Sequence, residues 1–471
     1  MMLQNLIGSL NAIVWGAPAL IAILGVGIWF SLRTRFCQLR LLPVAVKSVV
    51  SGLKRPTEGV SPFQALCTAL AATVGTGNIA GVAAAIALGG PGAIFWMWVC
   101  AVLGMGIKFM EVTLAVRYRQ RREDGYEGGT MYVILRGMRR RWKPLALAYA
   151  AFGTIAAIGM GSMVQVNAMT TAIGEFMESC RVDGFSQKQW LIGLLCAALL
   201  MVLLSGGAKR VGAFAELLVP FMSVGYVLLA LGVLVICHDR LVPALGAIVT
   251  GAFCPRAATG GLVGSAFLAL RTGVSNGVFT NEAGLGTASM AHAGAQTDHP
   301  CRQGLYGIFE VFVDTIVICT MTALVILCSG IPIPYGESAG AGLTISAFVA
   351  VYGSWVTGFL ALAMACFALG TMIGWGLYGI RCVEFLTRGR GRGLFMAVLA
   401  ATTVAASVVD GGLLWTFCEM VNGLMSIPNL ISLFALRREA LKETREFTMK
   451  VRQRPSRAKY EPEYFHQCQS L

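Results

Sequence analysis

Eleven stretches of largely apolar residues, most of them near the ~20 residues that a helix needs to cross a bilayer, constrain this chain more than any motif in it. Spans 1 to 11 run 17–32, 63–88, 92–116, 145–173, 190–205, 212–237, 262–291, 305–329, 356–383, 394–409 and 413–433. With 13% charged residues and a mean hydropathy of +0.71, the chain has too few polar side chains to cover a water-soluble surface. An all-α membrane protein is expected. The stretch 241–253 is too short to span and reads as a re-entrant or interfacial piece. The 14 cysteines are scattered, mostly inside apolar runs and without a C-x-x-C pair, so they read as small hydrophobes and not as a disulfide framework or a zinc site.

Basic residues test the count, because cytoplasmic loops collect Lys and Arg. With the N-terminus outside and strict alternation, 31 of the 37 fall in inner segments, and the outer ones hold only Arg181, Lys188, Arg240 and Arg256. Lys108 and Arg271 lie inside spans. The net charge of +14 is therefore spread over inner loops as topology demands, and no nucleic-acid partner is expected. The N-terminus lacks the basic region of a cleaved signal peptide, and the charged tail 437–471 reads as a solvated, partly helical cytoplasmic end near anionic lipid.

Two spans are interrupted by polar and glycine residues. In span 2, "ATVGTGNIAGVAAAI" (72–86) has the G-x-G-x-x-A spacing of a dinucleotide fingerprint, but no strand precedes it and no acidic residue follows until Glu111, so a nucleotide is excluded. Small residues alone explain Gly77 and Gly81 as a packing stripe; they do not explain Asn78. Span 7 carries "LRTGVSNGVFTNEAGLGTASMAHA". Two broken spans, each opening a group of five, point to the central site of an inverted-repeat transporter. Unwound backbone at that depth must line an enclosed cavity. The chain then divides into an N-terminal helix and basic loop (1–62), a first five-helix repeat (63–237), an external connection (238–260), a second, inverted repeat (261–436) and the tail (437–471).

"GGPGAIFWMWVCAVLG" (89–104), "GTGNIAGVA", "TNEAGLG" (280–286) and "TMIGWGLYGIRCVEFL" (371–386) resemble the alanine/glycine:cation symporter family, the sodium:alanine symporters. The resemblance covers about 63–433. It implies a fold like that of the amino acid-polyamine-organocation transporters, with two inverted five-helix repeats and one extra N-terminal helix. It also implies uptake of alanine or glycine across a bacterial inner membrane, driven by Na⁺, with H⁺ as an alternative coupling ion in some members. No cofactor is implied beyond the coupling ion.

A small zwitterion needs a carboxylate site, and the helix that restarts after a break offers free N–H groups and a positive dipole end. Thr76 and Gly77 are assigned that role, with Asn78, Gln165, Asn276, Thr280 and Trp375 as further substrate-contact candidates. "GTGN" also resembles the broken helix of the neurotransmitter:sodium symporters. Carried over, that resemblance implies an Na⁺ cage from the carbonyls of Ala71, Val74 and Ala368 and the hydroxyl of Thr371. That family has one more hydroxyl where Met372 stands here. The Thr73 carbonyl and Asn78 are candidates for a second cation.

Other polar residues at depth have blander readings. Lys108 and Glu111, three apart, read as a local snorkelling pair. Glu282 reads as a tie inside the second break. Glu310 and Asp314, four apart on one face, are candidates for a proton or cation relay. A membrane enzyme would need a nucleophile with its base or a metal cluster, yet the four histidines lie in or beside loops and the tail without paired spacing. A channel would need a charged ring or filter. Neither explains two broken spans.

Overall fold

The computed structural model describes residues 8–11, 14–52, 59–122, 125–181, 188–254, 265–337, 339–409 and 412–453. All eleven apolar stretches are helical, wholly or in pieces. Six helices are long and apolar enough to cross a membrane unaided: Gly92–Arg117, Arg140–Glu178, Gly207–Ile236, Pro300–Ser329, Val356–Thr387 and Thr416–Ala435, which are spans 3, 4, 6, 8, 9 and 11. Span 1 is Ala17–Arg33. Spans 5 and 10 are the shorter apolar helices Gln189–Ser205 and Arg392–Ala406. Spans 2 and 7 are each made of separate pieces.

The burial pattern inverts that of a water-soluble protein. Leu217, Phe221, Val224, Leu228 and Val235 of span 6 are exposed, as are Leu191, Leu194, Leu195 and Val202 of span 5, while Thr, Asn, Gln, Glu and Asp side chains lie inside. Lipid solvates the former at no cost; the latter need partners within the protein. Spans 3 and 9 carry the interior. Span 3 packs on spans 7 and 8, and span 9 packs on span 4 and on the first piece of span 2.

Among the described residues, further helices lie outside the eleven stretches. Cys37–Ser51 follows span 1 after a bend of 81° and buries Cys37, Gln38, Leu41, Ala45 and Val49, one stripe of an amphipathic helix. The 241–253 stretch is part of an uninterrupted helix, His238–Phe253, which lies across span 3 with Gly251 against Gly92. Sixteen residues reach about 24 Å, short of the ~30 Å hydrocarbon core of a bilayer. Ala341–Tyr352 lies between spans 8 and 9.

The loops expected on the inner side meet one another. Arg117 pairs with Glu439 and Glu443 of the tail helix Arg437–Gln453. Arg381 pairs with Glu127, and Arg119 donates to the carbonyls of Ala293 and Ala295. These contacts gather the segments after spans 3, 7, 9 and 11 at one end of the molecule. The N-terminal residues 1–7 and the end of the tail, 454–471, lie outside the described residues.

Candidate functional site

The first piece of span 2, Pro62–Thr73, starts from a capping box in which Ser61 and Gln64 exchange hydrogen bonds. It stops because Val74 is extended, at φ −77° and ψ 93°. The chain resumes as a π-helical turn, Gly77–Gly81, followed by Val82–Gly89, at 52° to the first piece. Asn78 makes the break. Its Oδ1 accepts the Gly75 amide at 2.9 Å, the amide that would otherwise donate to the Ala71 carbonyl one turn back, and the Thr76 amide has no backbone partner among the described residues. Asn78 therefore leaves carbonyls before the break and an amide within it free for other partners, which packing by small residues does not do.

The break is walled by the other elements. Thr76 Oγ1 donates to Gln165 Oε1 at 3.0 Å, and Gln165 Nε2 donates to the Met160 carbonyl at 3.2 Å, where span 4 has its own π-helical turn, Gly159–Met163. Asn78 Nδ2 donates to Asp314 Oδ1 at 2.7 Å. A Cβ on Gly77 would stand 3.2 Å from the Phe279 ring and 3.6 Å from Thr280 Cγ2. Thr280 is thus beside the break, its hydroxyl bonded to the Gly277 carbonyl at 3.0 Å. Asn276 sits one turn away, opposite Gly81, and donates to its own helix at Thr272.

On the opposite side stands span 9. The Thr371 hydroxyl is buried without a hydrogen-bond partner among the described residues, and a Cβ on Gly75 would fall on it. A Cβ on Gly370 would stand 3.4 Å from the Ala71 carbonyl. A buried hydroxyl oxygen with no partner thus faces the break, close to a carbonyl freed by it, and oxygens of this kind suit a hard monovalent cation. Ala368 is one turn before Thr371 on the same buried helix, and Val74 is the extended residue of the break itself. The carbonyl of Thr73 belongs to the last helical residue before the break, while its hydroxyl bonds back to Ala69.

Span 7 breaks after Asn281. Glu282 at φ 54° is left-handed, Gly284 and Gly286 follow at φ 96° and 77°, and only Ser289–His292 is helical again. Glu282 is the tie expected of it. It accepts from Thr287 at 2.5 Å and from the Trp375 indole at 2.9 Å, so the Trp375 N–H is committed to the second break, and the ring packs on Gly161. Asn429 of span 11 donates to the Gly284 carbonyl at 2.8 Å and to Glu111 at 2.6 Å.

The Lys108 and Glu111 expectation is overturned. Lys108 is 0% exposed and pairs with Glu310 of span 8 at 3.2 Å, whereas Glu111 accepts the Gly284 amide at 2.9 Å. Span 3 is interior along its length, so neither side chain reaches the membrane surface. Glu310 and Asp314 do not share partners either. His292 is not a loop histidine: it is buried, with Gln303 Nε2 donating to Nδ1 at 2.8 Å, which leaves Nε2–H to face Glu310 at 3.1 Å.

Two contacts carry no sequence signal. Thr344, from the unforeseen Ala341–Tyr352 helix, donates to the Ile79 carbonyl inside the π-helical turn at 3.1 Å, where the wider winding leaves carbonyls off the regular ladder. Thr315 donates to Asp314 at 2.8 Å and accepts from Asn281 at 3.2 Å. The thirteen cysteines among the described residues are free. His299, Cys301 and Glu443 gather ligand atoms within 4.8 Å, but His299 Nδ1 accepts the Cys301 amide and Glu443 pairs with Arg117, so structural partners already engage two of the three.

Comparison with known proteins bears on family and fold. The family model of the sodium:alanine symporter family matches residues 1–461. The sodium/alanine symporter AgcS of Methanococcus maripaludis is 40% identical over 94% of this chain and 97% of its own. A putative sodium/proton-dependent alanine carrier, YrbD of Bacillus subtilis, is 35% identical over 96% and 94%. The probable sodium/glutamine symporter GlnT of the same organism is 36% identical over 95% and 91%. Among solved structures, MhsT in complex with L-phenylalanine superposes with a TM-score of 0.59 at 14% identity, over 83% of this chain and 93% of that one. Its likeness is one of fold.

Proposed function

The chain belongs to the sodium:alanine symporter family, and from that premise we propose that it couples the movement of Na⁺ to that of a small neutral amino acid, alanine or glycine, by alternating access. Na⁺-coupled amino-acid symport is what the family does and what the relatives' names state. The finer assignments are this chain's own. The observation that carries them is the first break, where the Asn78 side chain takes the Gly75 amide and leaves the Thr76 amide without a backbone partner beside a buried, unpartnered Thr371 hydroxyl.

In this reading the substrate carboxylate lies against the Thr76 and Gly77 backbone, at the start of the resumed helix. Gln165 fixes the Thr76 hydroxyl. Phe279, Thr280 and Trp375 limit the room for the side chain, which favours a substrate no larger than a methyl or hydroxymethyl group. Na⁺ sits among the carbonyls of Ala71, Val74 and Ala368 and the hydroxyl of Thr371. The two broken spans, each tied to neighbouring spans, are the elements whose inner and outer pieces move in turn. The protein is placed in the cytoplasmic membrane, N-terminus outside and tail inside, which is supported by the gathering of the basic loops at one end.

Thr371 provides the test. Removing an oxygen that contacts a charge costs about 1.5–3 kcal/mol, so Thr371→Ala is expected to raise the Na⁺ concentration for half-maximal uptake by about 10- to 150-fold. Thr371→Ser keeps the oxygen and should stay near wild type. Equal sodium dependence in wild type and the alanine variant would move the cation elsewhere.

A further inference from the structure

Four carboxylates, Glu111, Glu282, Glu310 and Asp314, lie fully or almost fully buried around the two breaks. Their surroundings differ. Glu310 is compensated by Lys108. Glu111, on span 3, and Glu282 brace the second break by accepting from span 9, span 11 and the break itself. Asp314 is different: it touches the first break directly and reaches the second through Thr315. Asn78 of the first break donates to its Oδ1, and Thr315, which donates to its Oδ2, accepts from Asn281 at the edge of the second.

Asp314 is 0% exposed, and no Lys, Arg or His pairs with it among the described residues. Its donors are neutral. A buried carboxylate held only by neutral donors retains a cost of several kcal/mol that a positive charge removes, and intramembrane acids of this kind mark ion pathways. Its helix widens there into a π-helical segment, Phe312–Cys319, a distortion frequent at functional positions. The titratable groups that act on it are Lys108 on span 3 and Glu310 and Cys319 on its own span. The one cation in that set is already paired.

We propose that the Asp314 carboxylate, oriented by the Asn78 amide and joined by the Thr315 hydroxyl oxygen, binds a second monovalent cation that is taken up together with the amino acid, separately from the ion at Thr371. The proposal rests on the symport reading and adds to it an acidic site between the breaks. Binding there links the cation to both broken spans at once: it neutralises the carboxylate that Asn78 and, through Thr315, Asn281 lean on. The cation is Na⁺ or H⁺, and the test separates them.

Alanine binding to the purified full-length protein is measured against Na⁺ concentration at fixed pH and against pH at fixed Na⁺; the slopes of log affinity count the linked ions. Wild type is expected to link about two cations in total and Asp314→Asn about one fewer. If the lost ion is Na⁺ the sodium slope falls; if it is H⁺ the pH slope vanishes and the sodium slope stays. Asp314→Glu keeps the charge and should keep both slopes. Slopes unchanged in Asp314→Asn overturn the proposal. Should that variant not fold, the wild-type count alone decides, because a single linked cation leaves no second site. Thr371→Ala separates the two readings: it should move the sodium dependence to higher Na⁺ concentration with the Asp314 ion retained, and a wild type that binds no alanine contradicts the symport reading itself.

Discussion

Gly75→Ala is expected to weaken sodium-driven uptake, and Gly77→Ala substrate binding, by about 5- to 150-fold, and Gly81→Ala to leave most of both. All three lie within seven residues, and propensity alone would rank them alike. Their surroundings do not. The added methyl at Gly75 falls on the Thr371 hydroxyl, with Gln165 Oε1 3.7 Å away, so either the hydroxyl is driven from the break or the break itself shifts. At Gly77 it meets the Phe279 ring at 3.2 Å and Thr280, filling space where backbone has to approach a carboxylate. At Gly81 the nearest atom is Asn276 Oδ1 at an ordinary 3.4 Å. Overpacking costs about 1–3 kcal/mol, which is about a 5- to 150-fold loss of affinity. Binding of labelled alanine to the three purified variants, together with flux, checks the ranking. Equal losses at Gly77 and Gly81 would restore the packing stripe as the explanation.

Glu310→Gln should be the most destabilising single change in the interior. It leaves the Lys108 ammonium, 0% exposed, without its counter-charge, and breaking such a pair costs about 3–5 kcal/mol. The one oxygen that Gln keeps can serve Lys108 or His292 but not both. Replacing both ends by apolar residues of similar length, Lys108→Met with Glu310→Met, removes the stranded charge and should recover much of the loss. Thermal denaturation in detergent reads both. A single variant as stable as wild type would mean that Lys108 does not depend on Glu310.

The spans were legible because lipid imposes a rule that acts residue by residue: every crossing segment must be apolar and satisfy its own backbone. The breaks were legible for the same reason, since Asn78 and the 280–286 run violate it. Glu282 could be read as a tie because nothing outside the protein can satisfy it at that depth. Long-range partners were another matter. Lys108 has a carboxylate three residues away and takes one some two hundred residues away, because the choice depends on which face of span 3 meets span 8, and a span buried on all sides has no apolar stripe to reveal its orientation. His292 looked like a loop residue because the helix that holds it is only Ser289–His292. Thr344 lies in a helix too short to count as a span, and its role at Ile79 depends on a π-helical turn that no sequence pattern announces.

Uptake of labelled alanine into liposomes containing only the purified protein, driven by an inward Na⁺ gradient, tests the central claim most directly. Accumulation above the equilibrium level that collapses when the Na⁺ gradient is removed, and that Thr371→Ala shifts to higher Na⁺ concentration, is the predicted result. Alanine that merely equilibrates, with or without Na⁺, would contradict it.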